Sequence, residues 1–187
     1  MRNVIYGMVV SLDGFVARPD GTLDWHNVDE ELHTFINDQH RQYGAHLYGR
    51  RTYELMASAW PPVESDPDAP GYMVDFARIW TPMPKVVFST TLEEVEWNAR
   101  LAWDNIANEV ARLKEQPGGD MVVGGPTLAS SFLELDLIDG VDLYVNAVVL
   151  GEGIPLFPNS SKPLDMQLVD SRTFSSGVAY LQYRRAE

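Results

Sequence analysis

Val4 to Val10 is apolar on both alternations apart from Gly7, and a run of this kind belongs to a strand covered on both faces. Shorter runs of the same character recur at Ala45 to Tyr48, Lys85 to Phe88 and Met121 to Val123, with a longer one at Val141 to Leu150. Helical patterns lie between them. Asn27 or Asp29 caps a helix reaching Tyr43, with Asp29, Glu30 and Glu31 in its positive first turn, Leu32, Phe35 and Ile36 facing inward and Gly44 as its stop. Gly49 turns the next strand into a helix beginning at Arg50. Asp104 caps a helix over Asn105 to Glu115, ended by Pro117-Gly118-Gly119. Leu128 to Leu135 has helical character, with Pro126 tolerated in its first turn. Trp60 to Tyr72, with four prolines and three acids and no periodicity, reads as an excursion loop. Met166 to Phe174 and Val178 to Tyr183 flank Ser175-Ser176-Gly177 as a closing hairpin. Strands alternating with helices specify an α/β fold: a mostly parallel, mixed central sheet, helices on both faces and a C-terminal antiparallel hairpin.

A chain of 187 residues fits one domain over 1–187. The absence of cysteine excludes a disulfide framework, a thiolate nucleophile and Cys-based metal sites, and fits a reducing cytoplasm. With 14 basic against 27 acidic side chains the formal charge is −13, the wrong sign for a nucleic-acid or anionic-membrane binder, so neither partner is expected. No apolar run approaches the ~20 residues of a membrane span, and the first residues read as a strand rather than a signal peptide.

Three strand ends run into small, hydroxyl or cationic residues suited to phosphates: Gly49-Arg50-Arg51-Thr52, Ser89-Thr90-Thr91 and Gly124-Gly125-Pro126-Thr127. Each alone is an ordinary turn or a solvated surface; their coincidence on one sheet edge points to a phosphate-bearing ligand. Neither a G-x-G-x-x-G after the first strand, nor a Walker A sequence, nor a G-x-S-x-G elbow is present. No metal is expected, because His33 and His40 share a helix face but lie two turns, about 10 Å, apart. Glu31 carries two readings: dipole-complementing charge, or a buried carboxylate beside the Phe35 ring at i+4, able to bind the N–H edge of a pterin or pyrimidine. Asp13 is a turn former or a catalytic acid, and Trp25 and Trp60 are core or lid aromatics.

Five segments in order resemble the dihydrofolate reductase-like superfamily, specifically the bacterial group sharing the reductase domain of riboflavin biosynthesis. They are Ser11-Leu12-Asp13-Gly14-Phe15-Val16-Ala17, Tyr48-Gly49-Arg50-Arg51-Thr52-Tyr53-Glu54, Phe88-Ser89-Thr90-Thr91, Val122-Val123-Gly124-Gly125 and Gly151-Glu152-Gly153-Ile154-Pro155-Leu156-Phe157. The resemblance implies a three-layer fold, NADPH as cofactor, and hydride transfer to a C=N or C=O of a pyrimidine or pterin. It further implies that Gly49, Arg50, Arg51 and Thr52 hold the pyrophosphate and adenosine phosphate, and Ser89, Thr90 and Thr91 the 2′-phosphate end. Gly124, Gly125, Thr127 and Leu128 would hold the diphosphate and nicotinamide ribose, and Val9, Val10 and Ala17 would border the nicotinamide. Asp13 to Asp24 corresponds to a mobile covering loop, Glu31 or Glu30 to the substrate-orienting carboxylate, and Trp25 and Phe35 to its surroundings. Dihydrofolate reductase activity proper, a broad carbonyl or nitro reductase and a non-catalytic nucleotide-binding module are the alternatives. A homodimer is implied as well, with Leu143, Val145, Val148, Tyr180 and Tyr183 near the expected pairing edge.

Overall fold

A computed structural model describes residues 1–103, 105–158 and 163–186. Its strands are β1 (Val4–Ser11), β2 (Phe15–Ala17), β3 (Ala45–Gly49), β4 (Lys85–Phe88), β5 (Ala99–Ala102), β6 (Met121–Gly124), β7 (Gly140–Asn146), β8 (Ile154–Pro155), β9 (Met166–Thr173) and β10 (Ala179–Arg185). Its helices are α1 (Glu30–Gln42), α2 (Arg50–Val63), α3 (Gly71–Trp80), α4 (Ile106–Glu115) and α5 (Pro126–Glu134). Eight strands form one sheet in the order β5-β4-β3-β6-β1-β7-β10-β9, and β2 pairs with β8 apart from it. The pairings from β5 to β7 are parallel, whereas β10 runs antiparallel to β7 and to β9. This is the expected mixed α/β sheet with its closing hairpin.

β1 is central because both its faces are covered. Val4, Tyr6 and Val10 join Val110, Leu113, Leu128, Ala129 and Phe132 of α4 and α5 in one core. On the other face α1 contributes Leu32, Phe35 and Ile36 to a cluster with Val9, Tyr144 and Tyr180. α2 and α3 extend that layer through Tyr53, Phe76 and Trp80, packed on Tyr48 and Val87. Gly7, the break in the apolar run, leaves room for Val122, whose Cγ2 would lie 2.9 Å from a Cβ there.

Several boundaries differ from the sequence expectation. The expected excursion loop is shorter than 60–72, covering 64–70: α2 continues through Pro61 and Pro62 to Val63, and α3 begins at Gly71. Pro61 and Pro62 each lack the N–H of an i→i−4 bond, and α2 stops one residue after them; α3 is held by burial of Phe76, Ala77 and Trp80. β5, Ala99–Ala102, has no β-branched residue, and β8 is only the two residues Ile154–Pro155. The long strand at 141–150 ends at Asn146. Asp104 lies outside the described residues, and Asn105 caps α4 by accepting from the N–H groups of Ala107 and Asn108. The edge strands of the sheet are β5 and β9, not the strand at 143–148, and Tyr180 is buried at 1 % exposure rather than presented at an edge.

A buried polar chain runs through the α1–α3–β3 layer. The Trp80 indole N–H donates to Tyr48 Oη at 3.2 Å, Tyr48 Oη lies 2.8 Å from His46 Nδ1, and His46 Nε2 lies 3.1 Å from His40 Nδ1. Donors and acceptors match along the chain when both rings are neutral. Burial holds His40 down at about 4, and burial followed by the charges of His40 and Lys85 holds His46 well below its ordinary value of 6.5. Nearby, Lys85 Nζ donates to the carbonyls of Trp80, Met83 and Trp97 at 2.5 to 2.8 Å. Burial pulls that ammonium down to about 7, and the ring of carbonyls opposes the pull.

Because the histidine values are depressed by folding, the unfolded chain takes up protons first as pH falls. The associated stability is complete above about pH 6.5 and is lost as pH falls toward the folded values, His40 alone accounting for roughly 3 kcal/mol by pH 4. We expect the thermal midpoint to drop steadily from pH 6.5 to pH 4, with the ring C2–H resonances of His40 and His46 unmoved between pH 8 and pH 6. Rings that titrate near 6.5 would contradict the buried chain.

Candidate functional site

The carboxyl ends of four neighbouring strands, β4, β3, β6 and β1, lie side by side, with Gly49 opposite Phe88 and Tyr48 opposite Gly124. Three of them carry the segments singled out above. α2 and α5 start at this edge, and both are capped by glycine with no side-chain cap bond. In contrast, α1 is capped by Asp29 and α4 by Asn105. A helix start without a side-chain cap leaves first-turn N–H groups available to an anion and directs the positive end of the dipole at it.

Glycine is required here by space. Gly125 holds φ +93°, and a Cβ on it would overlap Thr52 Oγ1. On Gly124 a Cβ would lie 3.1 Å from the Tyr48 ring and 3.6 Å from Thr52 Cγ2. Thr52 therefore seals the seam between the two helix starts. The Gly125 N–H reaches Met8 Sδ at 3.4 Å, a weak acceptor that an anionic oxygen outcompetes. Met8 was missed from sequence; its place two residues before Val10, on the α5 face of β1, was the available signal.

Arg50 and Arg51 are exposed in the first turn of α2, and neither enters an ion pair among the described residues. Seven other arginines do, at positions 18, 41, 100, 112, 172, 184 and 185. Ser89 Oγ accepts from the N–H groups of Thr91 and Leu92, which forms the turn after β4 and leaves Thr90 and Thr91 exposed. Thr127 is exposed, whereas the Leu128 side chain is core, so Leu128 offers this edge only its backbone. Val10 and Ala17 are likewise buried, at 3 % and 6 % exposure, and Val9 packs toward α1.

Asp13 is a structural tie. It accepts from Ser11 Oγ at 2.6 Å and from the Leu150 and Gly151 N–H groups at 3.1 and 2.7 Å, and these bonds, Ser11 first, hold its carboxyl below the usual range. It fastens the start of the covering segment to the loop after β7. The rest of that segment closes on itself through Arg18–Asp24 at 2.6 Å. It ends where Asn27 N–H donates to Asn146 Oδ1 and Asn27 Nδ2 to Ser176 O. Trp25 sits there edge-on to His26, with ring centroids 4.4 Å apart, and the buried Trp25 Nε1 and His26 Nε2 have no hydrogen-bond partner among the described residues. His26 was not singled out from sequence, and burial lowers its pKa.

The buried carboxylate expected at Glu31 is not found. Its side chain is 44 % exposed; Oε1 pairs with Arg172 at 3.0 Å, and Oε2 accepts from Ser175 N–H at 3.2 Å and Ser175 Oγ at 2.9 Å. These bonds, the Ser175 backbone first, hold its pKa down. Phe35 does follow at i+4, but its ring packs on Phe174 and Tyr180, with the Arg172 guanidinium over it at 5.1 Å. Glu30 is exposed, and with Glu31, Thr34, Asp38 and Arg172 it lines a shallow groove outside α1. Among the described residues no group of three His, Cys, Asp or Glu could hold a metal ion, and no helix is long and apolar enough to cross a membrane.

A domain with these glycine-started helices on a dihydrofolate reductase-like sheet has known relatives. Residues 2–180 match the RibD C-terminal domain, and the chain belongs to that family. It is 36 % identical over 183 residues to YyaP of Bacillus subtilis (strain 168), covering 97 % of this chain and 94 % of that one. It is 30 % identical over 187 residues to YwjB of the same organism, covering 99 % of each. A putative riboflavin biosynthesis protein from Shewanella sp. PV-4 shares the fold at TM-score 0.79 and 24 % identity, with both chains covered fully. Dihydrofolate reductase from Enterococcus faecalis, solved with NADP(H), superposes at TM-score 0.65 and 14 % identity over 99 % of this chain and 97 % of that one. The fold is thus of the reductase type.

Gly125→Ala forces a side chain into a left-handed conformation and into Thr52. We expect a loss of about 1–3 kcal/mol, read as a lower denaturation midpoint, and Gly125→Ala/Thr52→Ala should recover only the part due to overlap. Full stability in the single variant would show that this turn does not need glycine.

Proposed function

We propose that this protein is an NADPH-dependent reductase that delivers hydride to a C=N or C=O carbon of a pyrimidine or pterin. One observation carries it: two helix starts without side-chain caps meet at Gly124, Gly125 and Thr52, beside two arginines that pair with no acid among the described residues, in a protein of net charge −13. The residues present fit a dinucleotide. First-turn N–H groups at Gly49 to Thr52 and at Thr127 and Leu128 take the diphosphate, Arg50 and Arg51 supply forked cations for phosphates, and Thr90 and Thr91 with Ser89 face the 2′-phosphate. Val9, Val10 and Ala17 supply the floor at the end of β1.

When bound, the cofactor supplies the hydride. The chain's own part is to bind, orient and exclude water. The segment from Asp13 to Asn27 is anchored at both ends, by Asp13 on Leu150 and Gly151 and by Asn27 on Asn146, and its exposed middle closes over the end of β1. Trp25 Nε1 and His26 Nε2 are buried polar atoms without a partner among the described residues, and a heterocycle bearing carbonyl and ring-nitrogen edges would provide one. Glu31 and Asp13, both saturated with donors and held low, carry no proton at neutral pH. In this mechanism they act by position, Glu31 steadying the start of α1 against the hairpin, and the proton on the product comes from solvent. A second copy pairing along β9, which exposes Leu168 and Val169, would make the homodimer.

The second reading, a nucleotide-binding module without turnover, is favoured by the commitment of the Glu31 carboxylate to Arg172 and Ser175. Calorimetric titration with NADPH and NADH tests the site. We expect micromolar binding of NADPH and at least tenfold weaker binding of NADH. Arg50→Ala/Arg51→Ala should weaken NADPH roughly 10- to 100-fold and narrow the preference. No binding of either nucleotide would end the reductase proposal. Absorbance loss at the reduced nicotinamide band with a pyrimidine and pterin panel then separates turnover from binding alone.

A further inference from the structure

The chemistry along the carboxyl edge changes from strand to strand. At β6 and β3 the following helices start on glycine with free N–H groups, and at β4 a hydroxyl turn follows. At β5 the pattern breaks. The helix after it is capped by its own Asn105, whose Oδ1 takes the N–H groups of Ala107 and Asn108, so this end offers an anion little. What stands there instead is Trp103, the residue after β5, 59 % exposed and in no ring contact or hydrogen bond among the described residues. Ala102 is opposite Phe88, which sets Trp103 level with Ser89. From Gly124 to Trp103 the edge crosses three strand spacings, roughly 14 Å, a length comparable to the ADP half of a dinucleotide.

A large aromatic surface in water at the end of a row of phosphate-suited turns is a stacking platform for a base. We propose that Trp103 stacks on the adenine of the bound dinucleotide and fixes its purine end, so that the order diphosphate, ribose phosphate, base runs from β6 to β5. The proposal rests on the dinucleotide reading above and adds a residue that neither the turn motifs nor the helix starts identify. Stacking is sequence-tolerant and needs no hydrogen bond, so Trp103 contributes affinity for the purine half, while the choice between phosphorylated and plain ribose stays with Arg50, Arg51 and the 89–91 turn.

Adenosine 2′,5′-bisphosphate, which carries the adenine and both ribose phosphates but no nicotinamide, is the probe. It is titrated into the wild type, Trp103→Phe and Trp103→Ala by calorimetry and by tryptophan fluorescence. We expect quenching in the wild type with a component absent from Trp103→Phe. Affinity should fall roughly 5- to 100-fold in Trp103→Ala and by less than about fivefold in Trp103→Phe. Melting midpoints should match the wild type, since the side chain is exposed. Equal affinity in Trp103→Ala and the wild type would overturn the role of Trp103 and leave the cofactor site standing. A wild type that binds neither this probe nor NADPH would bring down both.

Discussion

Parallel pairing of β3, β6 and β1 is the constraint on which the rest of the molecule depends. Because the three strands run the same way in register, with Tyr48 beside Gly124 and Tyr6 beside Val123, the turns that follow them must emerge at one edge. Parallel strands also require crossovers, and the crossover helices must start at that same edge. The gathering of helix starts at one edge, which the proposed anion site uses, is therefore a consequence of topology before any side chain is chosen. Side chains then refine it: glycine at Gly49 and Gly125 keeps two helix starts free of their own caps, while Asp29 and Asn105 close two others.

The polar chain behind β3 serves the same arrangement from the other side. Tyr48 is held by Trp80 and His46 at its hydroxyl, and its ring carbons are what a Cβ on Gly124 would strike. Its position is thus fixed at two ends, and with it the distance between the β3 and β6 turns. A buried polar group is costly unless satisfied, and here each link has a partner, out to His40. Lys85 does comparable work at the opposite end of the strand pair, gathering carbonyls of the α3 end and of the turn before β5.

The parts of this arrangement set by local chemistry were legible in the sequence. The doubly buried strand, the Gly pair and the Gly-Arg-Arg-Thr turn declare themselves in a few residues, and the structure brings those turns together. What was hidden depended on partners remote in sequence. Glu31 looks like a free acid until Arg172, 141 residues on, and Ser175 are placed against it. Asp13 reads locally as a turn former, and its tie to the loop after β7 shows only once Leu150 and Gly151 donate to it. α3 was missed because its helical face, Phe76 and Trp80, directly follows a proline-rich stretch that argued for loop, and β5 because Ala99–Ala102 carries no β-branched residue.

An acidic chain proposed to bind an anionic cofactor raises a question of range. Most arginines sit opposite acids, so the net charge of −13 is distributed over a surface of paired and solvated groups. At physiological ionic strength such charges are screened beyond about 8 Å. At the α2 start stand Arg50, Arg51 and the uncapped N–H groups, with the exposed Glu54 one turn further on, so nearby charges weigh more there than the total. Their want of acidic partners costs little in water, because an exposed guanidinium is well solvated. In a basic protein the same two arginines would be lost among many; in this acidic one they stand out beside two helix starts that no side chain caps, and the proposed phosphate site rests on that local contrast.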